Sequence, residues 1–445
     1  MNVLIGLGLL SLLLPQQVRQ MTLGEALDTA DKHAFPVRLA INRRDKALDQ
    51  EKGALASLGP RVDLAGNFSE QKQEISAFST GTGTGTGTSN FGPSGWQAYK
   101  SVTLSLSQAV DINGLASKGA RGLKYQRQAE DANIETERSA LHADVRNKYL
   151  SLLQAIELEK VQVEALAAAN ERLAKANIKL KEGAIPRFEV LKLEAEVKKT
   201  EQDLVNAQGT VALARQDLNN TMGIPIETVF EPVPVDIIPV PSGTPDVLVS
   251  AALSNRSELL QSQLLVKALE MNAIVATQDI KPALNLTAVH TQYFDTPAGS
   301  QQQFDQVNAK LSGPLYDSGA GRRKVRAAER DVEQAKIQQE QIALAVALSV
   351  RNAMTNAFTA LANRDLAQKN VDLAKEALRI AQLRYDEGAG ILLDVIVAQA
   401  DYTSARANLV NANYRYLQAF AQLQRAVGSD DLRARPTTNT QEIKK

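Results

Sequence analysis

The chain repeats itself at a constant offset, which limits the folds it can adopt. The tetrapeptide Leu204–Ala207 recurs letter for letter as Leu409–Ala412. Glycines flank both copies at one offset (388 − 183 = 428 − 223 = 205): Gly183 and Gly388 before them, Gly223 and Gly428 after them. The offset persists upstream, where Gly114 pairs with Gly319. On the order of a hundred residues have therefore duplicated without a net insertion, as two rigid, length-matched units require and a loop-rich enzyme would hardly tolerate.

Composition excludes several classes of function. The 50 basic and 50 acidic residues cancel, so no global field favours nucleic acid as a partner. The chain has no cysteine, which excludes thiol catalysis, thiolate metal sites, disulfides and an N-terminal lipid anchor on cysteine. His33, His142 and His290 are far apart, and no phosphate loop, nucleophile elbow or metal-ligand spacing occurs. We therefore expect no enzyme activity, no catalytic residue, no metal site and no cofactor.

The first residues predict export. Val3–Leu14 form an apolar run of about a dozen residues, whereas a membrane-spanning helix needs about 20. The run favours a signal peptide over residues 1–17 rather than a buried helix, although it lacks a basic start and a clean cleavage motif. No other segment approaches about 18 apolar residues. We expect an exported protein without a transmembrane helix.

Two long segments predict rod-like helices. Gly114–Glu182 and Gly319–Glu387 lack proline and carry apolar residues in steps of three and four, the pattern of coiled-coil packing. At 1.5 Å per residue each rod is about 100 Å long. Shorter helices are expected before and after each rod, at Pro36–Leu58, Phe188–Met222, Arg256–Ile280 and Leu392–Val427. Two of these stacked end to end match the length of one rod, so such a pair could run beside it.

Four segments alternate apolar and polar residues with period two. Residues 101–107 alternate throughout, as do stretches near Val62, Leu284 and Val307. They predict two β-hairpins, one in each half. Alternation alone favours a soluble, half-buried sheet, whereas export favours a membrane sheet. Four strands cannot close a barrel, which needs about eight, so a membrane sheet requires a dimer or a trimer.

The sequence also suggests a division of the chain. A proline-rich linker, expected to be extended, joins the halves, and a Gly-Thr tract at 81–88 forms one hairpin loop. The expected parts are a signal peptide at 1–17, a first repeat at 18–224, the linker at 225–245, a second repeat at 246–428 and a polar tail at 429–445.

Both copies carry one ordered set of residues. In the second copy these are Gly388, Asp394, Val395, Ala398, Gln399, Ala400, Tyr414, Leu423 and Gly428. The degenerate first copy has Gly183, Glu189, Val190, Ala195, Leu218 and Gly223. This double pattern resembles the TolC-like outer-membrane efflux proteins, and with the duplication and the hairpin placement the resemblance covers about residues 20 to 430.

The resemblance implies an α+β membrane protein. Internally duplicated, long α-helical coiled-coil hairpins would form a periplasmic tunnel, and four β-strands per chain would contribute to a trimeric transmembrane β-barrel in the outer membrane. It implies an exit duct for efflux or type I secretion, a homotrimer that docks a periplasmic adaptor driven by an inner-membrane transporter. The competing interpretation, a soluble periplasmic coiled-coil adaptor or scaffold, leaves the matched strands unexplained.

The resemblance also implies site residues at the helical tips. Asp394 would form an acidic ring at the pore constriction, although a carboxylate at a helix N-terminus is also favoured by the helix dipole. Tyr385 and Glu189 match positions that tie neighbouring helices in the closed state. Gly390 stands where a basic latch can occur, and Val397 where some members carry a second acidic residue. Adaptor docking is expected at the tip residues Gly183, Ala184, Gly388 and Ala389.

Overall fold

The computed structural model describes residues 19–73, 95–235, 243–294 and 303–428. The helices are α1 Leu23–His33, α2 Phe35–Ala56, α3 Leu115–Lys181, α4 Arg187–Met222, α5 Pro245–Asn255, α6 Ser257–Val275, α7 Ala320–Asp386 and α8 Leu392–Val427, with a 3₁₀ helix at Ala276–Ile280. The strands are β1 Gln20–Met21, β2 Arg61–Gln73, β3 Gly95–Val110, β4 Glu231–Pro232, β5 Ala283–Phe294 and β6 Gln303–Ser312. The signal peptide, the Gly-Thr tract and the polar tail lie outside the described residues.

The helix bounds repeat at the offset read from the sequence. α3 and α7 each have 67 residues, α4 and α8 each have 36, and 320 − 115 = 392 − 187 = 205. The glycines that end these helices have left-handed φ angles in both copies, for example 73° at Gly223 and 70° at Gly428. A residue without a Cβ adopts this conformation at little cost. These matches support the internal duplication.

The chain forms two compact units, each built from both halves of the sequence. Of the described residues, the first unit contains those within 19–42, 132–260 and 340–428, and the second contains those within 43–131 and 261–339. The first unit carries the helical cores and the hairpin tips, and the second carries the four-stranded sheet.

Within the first unit, equivalent positions of the two halves are buried alike. Val145 and Val350 are both fully buried, as are Leu218 and Leu423. The first pair lies in the long helices and the second in the helices that follow them. Val145 and Leu218 of the first half belong to one apolar cluster, and Val350 and Leu423 of the second half belong to another. The duplicated sequence therefore builds two similar helical cores.

A two-stranded parallel pairing holds part of the linker. β1 pairs with β4, which confirms an extended edge strand at Glu231–Pro232. The buried Tyr149 hydroxyl lies 2.8 Å from the carbonyl oxygens of both Met21 and Val233, and can donate to either. Burial raises the pKa of Tyr149 to about 12, although the bond to Val233 opposes this shift. Residues 236–242 of the linker lie outside the described part.

The second unit contains a four-stranded antiparallel sheet in the order β2-β3-β5-β6. Its outer pairs are the two predicted hairpins, and the pairing of β3 with β5 joins the two halves of the chain. β2 and β6 are the outer strands, so in this chain the sheet is open.

The two sides of this sheet differ in chemistry and in exposure. Residues opposite each other on antiparallel strands project from the same side, and the register pairs Leu64 with Leu104. These leucines are 74% and 47% exposed. On the other side Thr291 is 7% exposed, and its hydroxyl lies 3.1 Å from that of Thr103. In β3 and β5 the mainly apolar side, which also carries the exposed His290, is therefore the more exposed and the polar side is the more enclosed, the reverse of a soluble half-buried sheet.

Candidate functional site at the hairpin tips

The two helical hairpins of the first unit turn with the same backbone motif. α3 ends before Gly183, whose N–H donates to the Leu180 carbonyl at 3.0 Å, while Ala184 donates to Lys179 at 2.9 Å. In the second hairpin Gly388 donates to Tyr385 at 3.1 Å and Ala389 to Arg384 at 2.8 Å. This is the Schellman motif, which satisfies the last helical carbonyls and needs a left-handed residue. The four predicted docking residues Gly183, Ala184, Gly388 and Ala389 are exposed at these turns.

The acidic site residues lie in the first turn of the returning helices. Pro186 is the N-cap of α4, and Ile391 is the N-cap of α8. Glu189 and Asp394 follow each cap by three residues and are equivalent in the repeat (394 − 189 = 205). A carboxylate there is stabilised by the exposed N–H groups of the helix start.

Tyr385 and Glu189 are brought together, although they lie 196 residues apart in the chain. The Tyr385 hydroxyl donates to Oε2 of Glu189 at 3.0 Å, which ties α7 to α4. Burial, followed by the bond to the Glu189 carboxylate, raises the pKa of Tyr385 to about 12. The Lys179 ammonium lies 5.0 Å from the centroid of the Tyr385 ring and 3.4 Å from Oδ1 of Asp386.

Asp394 has different surroundings. Its side chain is exposed, and no partner for its carboxylate occurs among the described residues of this chain. The repeat explains the difference, because the position equivalent to Tyr385 is Leu180, which has no hydroxyl (385 − 205 = 180). Val397 is also exposed. At Gly390 an added Cβ would approach the backbone and Cβ of Arg384 to 3.2 Å, so a larger residue requires local adjustment.

An apolar cluster lies beside the tips. Its buried members are Ala176, Val190, Leu193 and Leu392. They come from α3, α4 and α8, so the cluster packs the two hairpins together close to the tips.

A half-buried polar contact near this cluster was not predicted from the sequence. Arg172 on α3 donates through Nη2 to Oε1 of Glu196 on α4 at 2.5 Å, and through Nη1 to Oε1 of Gln399 on α8 at 2.9 Å. The Arg172 and Glu196 side chains are 15% and 16% exposed. The available signal was a charged residue directly before Leu173 in the apolar seam of the rod.

None of the described helices is both long and apolar enough to cross a bilayer. Nor do three or more acidic or histidine side chains of residues 19–73, 95–235, 243–294 and 303–428 converge into a potential metal site.

Known proteins resemble this chain in both sequence and fold. The family described as Outer membrane efflux protein matches residues 26–224 and 248–429. The outer membrane efflux protein BepC of Brucella suis biovar 1 is 23% identical over 427 residues, covering 92% of this chain and 86% of BepC. The outer membrane protein TolC of Escherichia coli strain K12 is 22% identical over 415 residues, covering 88% and 79% of the two chains.

The solved structures agree on the fold. The crystal structure of the Campylobacter jejuni CmeC outer membrane channel superposes with a TM-score of 0.77 at 20% identity, covering 92% of this chain and 87% of CmeC. The matched sequence covers both repeats, including the hairpin tips and the segments that form the sheet. The chain therefore belongs to the outer membrane efflux protein family, the family of TolC-like channels.

Proposed function

We propose that this chain forms, as a homotrimer, the passive outer-membrane exit duct of a tripartite efflux or type I secretion system. The observation that carries the proposal is the outward-facing apolar side of the sheet, where Leu64 and Leu104 are exposed and the polar threonines are enclosed. An apolar outer side and a polar inner side are what a membrane strand with a water-filled lumen requires. The alternative, a soluble periplasmic adaptor or scaffold, would expose this apolar side to water.

The open sheet supports the trimer. β2 and β6 are outer strands, and an unpaired strand edge in lipid leaves backbone N–H and C=O groups without partners. Pairing β2 of one copy with β6 of the next removes every edge, and three copies give a barrel of twelve strands. The helical hairpins of the three copies then form the periplasmic tunnel.

The tips are the proposed gate and docking site. The exposed turns at Gly183, Ala184, Gly388 and Ala389 contact the periplasmic adaptor, and the inner-membrane transporter supplies the energy. Three copies of the unpaired Asp394 form the acidic constriction. The bond between Tyr385 and Glu189 holds α7 against α4 in the closed state. Substrate choice then belongs mostly to the pump and the adaptor.

The test combines location with conductance. The full chain is expressed in a Gram-negative host, the membranes are fractionated, and the protein purified from the outer membrane is added to a planar lipid bilayer. A cross-linked trimer in the outer-membrane fraction that forms cation-preferring channels supports the proposal. Recovery of a soluble periplasmic protein without channel activity would instead establish the adaptor interpretation.

A further inference from the structure

Arg172 is more enclosed than the charged residues of two ion pairs that join the two hairpins. Its side chain is 15% exposed, whereas the cross-hairpin pairs Arg406–Glu164 and Lys179–Asp386 have side chains between 29% and 69% exposed. Exposed pairs of this kind contribute little, because water and salt screen them. An enclosed guanidinium that donates to two oxygens is held more firmly.

The two bonds of Arg172 have different structural consequences. The bond to Glu196 lies within the first hairpin, because α3 and α4 are its two arms. The bond to Gln399 crosses to α8 of the second hairpin. Gln399 is itself oriented, since its Nε2 donates to the Thr403 hydroxyl at 3.3 Å and so leaves Oε1 for Arg172. Glu196 therefore orients the guanidinium of Arg172, and Thr403 orients the Gln399 amide whose oxygen accepts its hydrogen bond.

The Arg172–Gln399 bond, called the clamp below, lies close to Asp394 at the tip. Gln399 is five positions after Asp394 on the same helix, about 7.5 Å along its axis. Helices are stiff over such a distance, so the Arg172–Gln399 bond limits the position of the first turns of α8. The repeat has no second clamp of this kind, because the position equivalent to Arg172 is Ala377 (172 + 205 = 377).

Packing between the hairpins is incomplete on the tip side of this clamp. A cleft of about 330 Å³ is lined by residues that include Arg172, Lys179, Tyr385, Leu392, Val395 and Gln399. Across a cleft of this size the side chains face solvent rather than one another, so they make few dispersion contacts there. The polar contacts of Arg172 and Tyr385 therefore contribute a larger share of the interactions that hold the hairpins together here.

We propose that Arg172 is a positioning residue that clamps the start of α8, and with it Asp394, against the first hairpin, so that the Arg172–Gln399 bond must break when the tips open. The inference rests on the proposed function as a gated duct. It adds the residue pair that controls the second hairpin, distinct from the tie between Tyr385 and Glu189.

The test removes the bond between hairpins and leaves the one within the hairpin. Gln399→Leu keeps the Arg172–Glu196 pair, and Gln368→Leu is the matched control because the Gln368 amide contacts Asp372 of its own helix. The trimers are compared in planar bilayers, with block by a trivalent cation as the second measurement. Gln399→Leu is expected to favour the open state by about tenfold, the effect of one hydrogen bond to a charged group. Gln368→Leu should behave as the wild type.

A double variant with Asp394→Asn distinguishes a positioning role of the Arg172–Gln399 bond from a general effect on stability. In Gln399→Leu the trivalent block should weaken, and combining it with Asp394→Asn should weaken the block no further than Asp394→Asn alone. Thr403→Val, which frees the Gln399 amide and also removes the bond from the Thr403 hydroxyl to the Gln399 carbonyl, should give an intermediate opening. Gln399→Glu should close the channel more firmly than wild type. The inference would be overturned if the effects of the two substitutions on the block were fully additive, or if Gln399→Leu left the closed state unchanged. Both outcomes assume that the wild-type channel conducts. A wild type that forms no channel would refute the proposed function itself.

Discussion

Asp394 and Glu189 illustrate how one duplicated position acquires two roles. Both lie in the first turn of a returning helix, where a carboxylate is favourable. Glu189 accepts a hydrogen bond from Tyr385, whereas Asp394 has no partner among the described residues of its own chain. An unpaired, exposed carboxylate can act on ions, and a paired one mainly holds helices together.

Asp394→Asn should therefore reduce cation preference and weaken block by multivalent cations in a planar bilayer, with trimer assembly unchanged. In the proposed trimer, three carboxylates around one axis attract cations strongly, and the amide removes this charge without changing the size of the side chain. Glu189→Gln is the matched control and should alter selectivity less. Unchanged selectivity and block in Asp394→Asn would mean that the constriction lies elsewhere.

Tyr149 provides a residue-level prediction for stability. Its pKa of about 12 in the folded chain lies above the usual value of 10.0. The folded state therefore keeps this proton longer than the unfolded state, so the stabilisation is complete below pH 10 and is lost as pH rises toward 12. Tyr149→Phe should lower the free energy of unfolding by about 1 kcal/mol near neutral pH, because it removes the bond from the Tyr149 hydroxyl to the Met21 or Val233 carbonyl. In detergent, the melting temperature of this variant should also fall less between pH 10 and 12 than that of the wild type.

At the scale of elements, the alternating segments defined both the strands and their sides. Residues 101–107 lie within β3, and Leu104 and Leu106 are on the exposed apolar side, as their period-two spacing predicts. Whether that side faced water or lipid did not follow from alternation. The greater exposure of the apolar side in the folded chain supports the proposal that it faces lipid.

Leu104→Lys should impair assembly in the outer membrane, because a charge facing lipid costs about 2–4 kcal/mol near the bilayer centre. Ser105→Lys, on the polar side of the same strand, is the matched control and should be tolerated. The yield of cross-linked trimer in the outer-membrane fraction measures both effects. Equal damage by the two substitutions would show that the sides are assigned wrongly.

The long helices were predictable and two short ones were overlooked. The bounds of α8 agree with the predicted Leu392–Val427, because an apolar period, a left-handed glycine and a reversal mark its ends. α1 and α5 have only 11 residues each, too few for a clear period. A signal for α1 was present, since Thr22 and Glu25 form a capping box.

At the scale of the whole molecule, the open sheet requires an oligomer, and the family resemblance favours a trimer. A single chain exposes the edges of β2 and β6, and such edges either pair or aggregate. We expect the detergent-solubilised protein to be a trimer by cross-linking and by mass. A stable monomer that retains its full β-sheet signal would contradict this, because its edge groups would have no partners in the detergent core.

The candidate site was only partly visible in the sequence. Gly183, Gly388, Glu189 and Asp394 follow from the local rules of helix ends and from the family resemblance. The partners of these residues do not follow from such rules. Arg172 would be read from sequence as a solvated charge on a helix, and only its contacts with Glu196 and Gln399 identify it as a clamp.

Local patterns in the amino-acid sequence were sufficient for the lengths of the helices, the turns at their ends, the alternation of the strands and the duplication, because each depends on residues close together in the chain. The tertiary structure alone decided the pairing of β3 with β5, the outward position of the apolar side and the contacts between the hairpins. The Arg172–Gln399 bond joins residues 227 positions apart, and no period or motif specifies such a contact. It exists because the two hairpins pack side by side, which is a property of the folded chain.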